Sequence, residues 1–316
     1  MPRVLSFAAF TLLCLSIAIG CGKKDDSDSG GGGGGQPVML SRTADDKKVA
    51  VNQLRQIGLA LHNSHDAYQT LPAGIVGPKG QLGLSWRVAI LPYIEEGNLF
   101  KEFKLEEPWD SEHNKKLITK MPKVFEAPGT VIGNGKTFLR SFAGSTALIP
   151  VQVALGPKGP TGINAWANQP PGSFARGRRL TDITDGTSNT LMVVEAADPV
   201  EWTKPDDLPF PDLPGMPGAS RTPLPKLGGL FDGGFHGLMC DGAVHFFPNK
   251  LTDQDLRRLI SVNDGEINSP EVNAILFPRR GNGKEPDDRE EDAAKPPSKP
   301  PPASKAGTKK TYDAPK

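Results

Sequence analysis

The sequence predicts a mixed α+β fold in which one long amphipathic helix packs on an antiparallel β-sheet. The helix is indicated by the stretch from Val49 to Tyr68, where apolar residues recur at helical spacing and polar residues fall mainly on the other side. The sheet is indicated by the short β-rich segments and turns that follow. A helix of about 25 residues cannot bury its apolar stripe alone, so we expect the sheet to cover it.

The ends of this helix carry local signals. Thr43 followed by Asp46 matches a capping box, in which each residue bonds the backbone amide of the other, and it predicts a start near Ala44. The Leu71–Pro72 pair and Gly74 disfavour helical backbone, so they predict where the helix stops.

Composition limits the classes of function. The 37 basic and 36 acidic residues nearly cancel, which leaves no electrostatic footprint for nucleic acid. The 316 residues include 36 Gly and 31 Pro, which predicts long Pro/Gly-rich loops. We expect four segments: a lipoprotein-type signal peptide over 1–20, a Gly-rich flexible tether over 21–42, one globular domain over 43–278, and a disordered Pro/Lys-rich tail over 279–316.

The N-terminus has the features of an export signal. Arg3 precedes an apolar run, Val4 to Gly20, that suits a secretory signal better than a spanning helix. The run ends at Cys21 and resembles the lipobox of bacterial lipoproteins, which implies lipid attachment at Cys21. Gly22 after the cysteine implies an exported protein anchored at the outer rather than the inner membrane. The alternative is an ordinary signal peptide with a chance cysteine.

Several shorter elements follow. Ser85 to Phe100 predicts short helical turns, and Glu106 to Lys120 predicts a short helix. Phe138 to Leu155 and Leu191 to Ala196 predict strands. A final short helix is expected after Thr252, with three apolar side chains directed inward: Leu256, Leu259 and Ile260.

The segment GGFHGLMCDGAVHFFP predicts a hairpin. Two apolar runs flank Asp241-Gly242, the pair that favours a type I′ turn. His236 and His245 should lie near each other across it. They raise the idea of a metal site, but without a third ligand a pair of hydrogen-bonded histidines is the commoner arrangement. Cys240 is expected to be a small buried apolar residue in a strand.

Six blocks stand in order between about Val49 and Glu266: NQLRQIGLALHNSHDAYQTLPAG, SWRVAILPYIEEGNLF, EPWDSEHNKKL, DITDGTSNTLMVVEA, VEWTKPDDL and FHGLMCDGAVHFFP. Together they resemble an uncharacterised bacterial domain-of-unknown-function family labelled bacterial solute-binding protein family ten. Its members commonly begin with a prepilin-type leader. The resemblance therefore implies a pilin-like fold, with a long N-terminal helix on an antiparallel sheet.

The chain also departs from that family. It lacks the prepilin cleavage pattern and the continuous apolar helix that forms a pilus core, so we expect it not to enter a filament. Cysteines often present in the family are replaced within VAVNQL and FEAPGT, so any disulfide of those relatives is not available here.

A cluster of side-chain oxygens is a candidate calcium site. Asp182, Asp185, Ser188 and Asn189 lie within one block, and hard cations prefer such ligands. The alternative is the ordinary chemistry of a tight turn beside Gly186. No other cofactor is expected.

Two further segments of the sequence contain candidate sites. Asp198 to Leu227 predicts a proline-rich surface loop whose apolar side chains could dock a partner, or could hold the loop on the body: Trp202, Phe210 and Met216. His62 and His65 share a helix face with Asp66 and form a weak metal candidate.

No common catalytic motif is present, so we expect a protein that is not an enzyme. The carboxylate pairs Glu95-Glu96 and Asp206-Asp207 are expected to ionise in polar turns. The favoured function is a membrane-tethered envelope lipoprotein with a pilin-like structural or protein-interaction domain. Its partners would be the membrane, reached by the lipid anchor, and an envelope protein or cell-wall polymer. The alternative is an extracytoplasmic module that binds a small solute.

Overall fold

The computed structural model describes residues 38–39, 42–131, 135–150, 152–156, 159–163, 166, 168–210 and 223–278. Within these ranges the helices are α1 (Ala44–Tyr68), α2 (Trp86–Ala89), α3 (Gly97–Glu102), α4 (Asp253–Ile260) and α5 (Pro270–Leu276). No helix in the described part of the chain is long and apolar enough to cross a membrane. The predicted signal peptide, Cys21, most of the tether and the C-terminal tail lie outside the described residues.

The described strands are β1 (Val38–Met39), β2 (Pro72–Val76), β3 (Leu82–Ser85), β4 (Thr130–Val131), β5 (Lys136–Arg140), β6 (Phe142–Gly144), β7 (Ile149–Pro150), β8 (Gln152–Gly156), β9 (Gly159–Ile163), β10 (Phe174–Arg176), β11 (Leu191–Glu201), β12 (Leu208–Pro209), β13 (Gly234–Met239) and β14 (Val244–Pro248). A central antiparallel sheet has the order β14-β13-β11-β5, and a second has the order β10-β2-β3. The small sheet β12-β6-β7 is parallel, so the expectation of antiparallel pairing alone was incomplete.

The predicted helix start is confirmed. The Thr43 hydroxyl accepts the amide of Asp46 at 3.2 Å, and the Asp46 carboxylate accepts the amide of Thr43 at 2.8 Å. The helix ends at Tyr68, because Gln69 adopts a left-handed conformation with φ of 59° and donates its amide to His65.

Helix α1 packs against β13 and β14 of the central sheet, which confirms the mixed α+β class. The buried side of α1 includes Leu54, Ile57 and Leu61. Each such side chain contributes roughly 2 kcal/mol when it leaves water. Gly58 lies on the same side, and a Cβ at that position would be 3.0 Å from a methyl group of Leu238. The glycine therefore lets the helix approach the sheet closely.

The central sheet is covered on both faces. Val193 belongs to the same apolar cluster as Leu54 of α1. Its neighbour Val194 belongs to a second cluster with Leu259 of α4 and Val272 of α5. Successive strand residues point to opposite faces, so α1 covers one face while α4 and α5 cover the other. Helix α5 was not predicted, and the helix after Thr252 is therefore not the last one.

The hairpin forms at the predicted place with a different turn. Strands β13 and β14 pair antiparallel around Asp241-Gly242. A type I′ turn needs positive φ at both central residues, but only Gly242 has it, at 90°. The amide of Gly242 donates to the Met239 carbonyl at 3.0 Å, and the amide of Met239 donates to the Ala243 carbonyl at 2.8 Å. These bonds describe a type I turn followed by a glycine bulge, so the type I′ prediction was wrong.

The other local predictions are largely confirmed. Ser85 to Phe100 forms α2, a 3-10 turn and α3, and Thr252 caps α4 with a capping box. The predicted short helix within Glu106 to Lys120 is a 3-10 helix over Asn114–Lys120. Strand β11 continues to Glu201, so its last residues are strand rather than the predicted loop.

Candidate functional site

A large concavity lies at the C-terminal end of α1, where the helix meets β2 and β10. We call it the aromatic cleft. It has a volume of about 620 Å³ and is open to solvent. This volume is within the range of about 300–1,000 Å³ that is usual for small-molecule sites.

One wall of the aromatic cleft is a stack of rings. Tyr68 lies 4.5 Å from Phe174 between ring centroids, with the ring planes 25° apart. Phe100 extends the stack, at 6.1 Å from Phe174. Burial raises the pKa of the Tyr93 hydroxyl, and the charge of Tyr68 and a hydrogen bond with it add to this effect. Tyr68 is 46 % exposed, so its ring is held by the stack while part of its surface faces solvent.

Local backbone structure positions this wall. The left-handed Gln69 turns the chain directly after Tyr68 and leads it into β2. Strand β10 then pairs with β2, so that Phe174 is opposite Ile75. Ala175 is buried whereas Phe174 and Arg176 are not, which places these two side chains on the outer face of the strand.

The rest of the described lining combines polar side chains with Pro72, Pro170 and Ala175, and it carries no acidic residue or histidine. It includes Thr70, Asn168, Gln169, Ser173 and Arg176. Within the described ranges no carboxylate pairs with the exposed guanidinium of Arg176. The described lining therefore carries groups that hydrogen-bond hydroxyls and anions, and none of its described side chains is a carboxylate or an imidazole.

A buried charged cluster lies inside the central sheet. The Glu195 carboxylate on β11 accepts the backbone amide of His236 at 2.8 Å and its Nδ1 at 3.1 Å. The guanidinium of Arg42 lies 4.7 Å from the Phe231 ring, and burial lowers its pKa while Glu195 opposes that effect. The His236 ring packs edge-on against Phe231 and Phe246. The cluster brings the segment before α1 next to strands β11 and β13, with Phe231 and Phe246 packed against it.

A second buried charge joins α2 to β5. Arg87 donates its Nε to the Leu139 carbonyl at 2.8 Å and lies 3.9 Å from Asp207. Burial lowers the pKa of Arg87 to about 10. Asp207 accepts hydrogen bonds at 3.1 Å from the Trp86 indole and from the amide of Ser141, and burial raises its pKa. The Asp207 side chain is therefore enclosed beside Arg87 rather than exposed in the polar turn that the sequence predicts.

A family model described as "Protein of unknown function (DUF1559)", SBP_bac_10, matches residues 50–218. The chain belongs to this family. The matched part contains the residues that line the aromatic cleft, whereas Arg42 and His236 lie outside it. No curated protein matches the chain. No solved structure matches it either.

In this DUF1559 chain three of the four calcium candidates make contacts with other protein groups. Asp182 pairs with Arg179 at 2.7 Å. Asp185 accepts the backbone amides of Asp264 at 2.7 Å and Gly265 at 2.9 Å. The side-chain amide of Asn189 donates to the Asp185 carbonyl, as is usual in a turn. The described residues contain no group of three or more His, Cys, Asp or Glu that could hold a metal ion.

For the predicted proline-rich loop, the structure supports the alternative in which apolar side chains hold the segment on the body. Trp202 is 0 % exposed and donates its indole to the Ile118 carbonyl at 2.9 Å, while stacking on Phe125. Phe210 is 2 % exposed. Both side chains hold the segment on the body, so they are not available to a partner. Met216 lies beyond the part of the loop that the structure describes.

The histidine pairs are separated. His236 is opposite Phe246 and His245 is opposite Gly237, so the two side chains point to opposite faces of the hairpin, and the expected proximity was wrong. On α1, His65 accepts the amide of Leu180 at 3.3 Å and lies 3.7 Å from Asp66. Nothing in the described residues adds His62 to that contact.

Cys240 is fully buried, as expected, although it sits in the turn after β13 rather than in the strand. Burial raises the pKa of its thiol, which makes it unreactive. The cleft residues Phe174 and Arg176 were missed because no local motif marks them. Arg87 and Glu195 lie inside quoted family blocks, but only tertiary contacts reveal that they are buried.

Proposed function

We propose that this DUF1559 protein is a non-enzymatic, exported lipoprotein of the bacterial cell envelope, anchored through Cys21. Its helix-and-sheet domain would serve a structural or protein-interaction role next to the membrane. The apolar run that ends at Cys21 and the glycine-rich segment after it support the anchor and the tether. Two or three acyl chains would hold such an anchor durably, because each buried methylene contributes about 0.8 kcal/mol.

The use of the buried charges supports a role without catalysis. The carboxylates of Glu195 and Asp207 accept hydrogen bonds from backbone amides or an indole, so they are engaged in holding strands and helices together. Neither residue lines the aromatic cleft. Catalytic carboxylates, by contrast, need access to a substrate.

We further propose that the fold is pilin-like but outside any filament. The long N-terminal helix on an antiparallel sheet supports the comparison with pilins. The polar glycine-rich segment before α1 would interrupt the continuous apolar helix that pilin assembly requires. A tether of this kind leaves the domain attached to a membrane and free to reorient.

A second candidate function is the binding of a small solute, and the aromatic cleft favours it. The cleft is concave, partly apolar and lined by convergent polar groups, as ligand sites usually are. Thermal-shift screening with sugars, peptides and divalent cations tests this function. A rise of several degrees in the unfolding temperature with one class of solute would support this function. The absence of a shift with every solute would favour the structural role.

The anchor is tested by metabolic labelling with an alkyne analogue of palmitate in a bacterial host, followed by mass spectrometry of the mature N-terminus. The wild-type chain should begin at an acylated Cys21 and sediment with membranes. Cys21→Ser should lose the label and remain unprocessed.

Cys14→Ser is the matched control, because Cys14 lies in the same apolar run and should not affect acylation. Equal labelling of Cys21→Ser and Cys14→Ser would contradict the anchor. Covalent cross-linking of the tethered protein in its own envelope then tests the interaction role through a reproducible neighbour.

A further inference from the structure

The aromatic cleft presents a supported ring to solvent. Tyr68 stacks on Phe174, which stacks on Phe100, so the exposed part of the Tyr68 ring is held in place before any ligand arrives. Pre-organisation of this kind lowers the entropy that binding costs. A flat ring surface suits the C–H face of a sugar ring, which is apolar although its edge carries hydroxyl groups.

Other residues of the cleft lining supply hydrogen-bonding groups. The amides of Asn168 and Gln169 each carry both donors and an acceptor, and Thr70 adds a hydroxyl group. Sugar hydroxyls likewise both donate and accept. A purely apolar ligand would leave these groups without partners, which costs free energy.

The charge of the cleft selects among sugars. Arg176 is exposed and lacks a carboxylate partner among the described residues, and the described lining has no acidic side chain to oppose it. A planar guanidinium matches a carboxylate through two parallel hydrogen bonds. The cleft therefore favours a ligand that combines a sugar ring with a carboxylate.

We propose that the aromatic cleft binds an acidic carbohydrate. One sugar ring lies against Tyr68, its hydroxyls bond to Asn168 and Gln169, and a carboxylate pairs with Arg176. The proposal rests on the binding role of the domain and gives that role a ligand class. It does not depend on the lipid anchor, which the labelling experiment tests separately.

The test uses the full chain purified in detergent and isothermal titration calorimetry. The probes are a tetrasaccharide of galacturonic acid and a neutral tetrasaccharide of galactose. The acidic probe should bind at least tenfold more tightly, and its affinity should fall as salt is raised. Arg176→Gln should lower the affinity for the acidic probe about tenfold, so that the two probes bind with similar affinity.

Tyr68→Ala should lower the affinity for both probes about tenfold. Tyr68→Phe keeps the ring, so its affinities should stay within about threefold of wild type. Arg55→Gln is the matched charge control. Arg55 is exposed on α1 and lies about 20 Å along the helix from Tyr68, from a rise of about 1.5 Å per residue. It should bind like wild type.

Equal binding of the acidic and neutral probes, or equal effects of Arg176→Gln and Arg55→Gln, would overturn the acidic ligand class. The absence of binding heat with both probes at millimolar concentration would overturn carbohydrate binding altogether. In either case acylation at Cys21 and a cross-linked envelope partner would still support the proposed function. Thermal stabilisation by a peptide instead would assign the cleft to a protein partner and also overturn the carbohydrate.

Discussion

One carboxylate oxygen of Glu195 accepts both the backbone amide and the ring Nδ1 of His236, at 2.8 and 3.1 Å. Both side chains are almost fully buried, at 2 % and 3 % exposure. The contact joins the neighbouring strands β11 and β13 by a charged side chain in addition to their backbone ladder. It is a structural pair, because both of its members are enclosed by the packing around them.

Glu195→Ala should lower the free energy of unfolding by about 3 kcal/mol, because it leaves a buried amide and imidazole without their acceptor. Glu195→Gln should cost roughly half as much, since its carbonyl oxygen can still accept the amide of His236. Urea unfolding measures both. Asp198→Ala, at an exposed site on the same strand, should stay within about 0.5 kcal/mol of wild type. An equal loss for Glu195→Ala and Asp198→Ala would argue against the pair.

Gly58 sets how closely α1 approaches the hairpin. Gly58→Ala should be nearly neutral, because a gain in helix propensity of about 1 kcal/mol offsets a contact of 3.0 Å with a movable methyl group of Leu238. Gly58→Val should cost about 2 kcal/mol through overpacking. Thermal unfolding distinguishes them, with Leu59→Ala as the control at the neighbouring exposed position. If the Gly58→Val protein were as stable as wild type, α1 would not be closely packed against the sheet at this position.

The cap of α4 should make stability depend on pH. Burial raises the pKa of Asp255, but hydrogen bonds from Thr252 and Ser269 outweigh that effect, so the folded pKa lies below the ordinary value. The unfolded chain therefore binds more protons, and the stabilisation is present above the unfolded pKa of about 3.9 and lost as pH falls through the folded pKa.

Asp255→Asn should accordingly cost about 1 kcal/mol at pH 7, and its difference from wild type should shrink towards zero below about pH 3. Urea unfolding at pH 7, 5 and 3 measures the difference. The exposed Asp232→Asn serves as the control and should show no such trend. A constant penalty for Asp255→Asn across this range would rule out the ionised cap.

Asp185 should act as a backbone acceptor rather than a calcium ligand. Its two oxygens hold the amides of Asp264 and Gly265, so Asp185→Ala should cost about 2 kcal/mol whether or not calcium is present. Thermal unfolding with 1 mM calcium or with a chelator checks this, and Ser188→Ala should have little effect. If calcium raised the unfolding temperature by several degrees and Asp185→Ala abolished this rise, Asp185 would be a calcium ligand after all.

Local patterns were sufficient for α1 and α4, because a capping box and helical periodicity act within a few residues of each other. The place of the hairpin could also be predicted, since Asp241-Gly242 marks a reversal wherever it lies. Its turn type could not, because a glycine bulge and a type I′ turn draw on the same residue pair. Helix α5 was missed because its short apolar pattern resembles a loop when read alone.

The charged and aromatic residues show the limit of local reasoning. The sequence left open whether Trp202 is buried, and it predicted an exposed turn for Asp207, yet contacts with residues far away in the chain enclose both side chains. The aromatic cleft likewise joins Tyr68 to Phe174 across more than a hundred residues. Caps, periodicity and composition thus determined the class of fold and the start of its main helix. Tertiary structure alone decided which polar and aromatic side chains are buried and which face a ligand, because burial depends on strand pairing between distant segments.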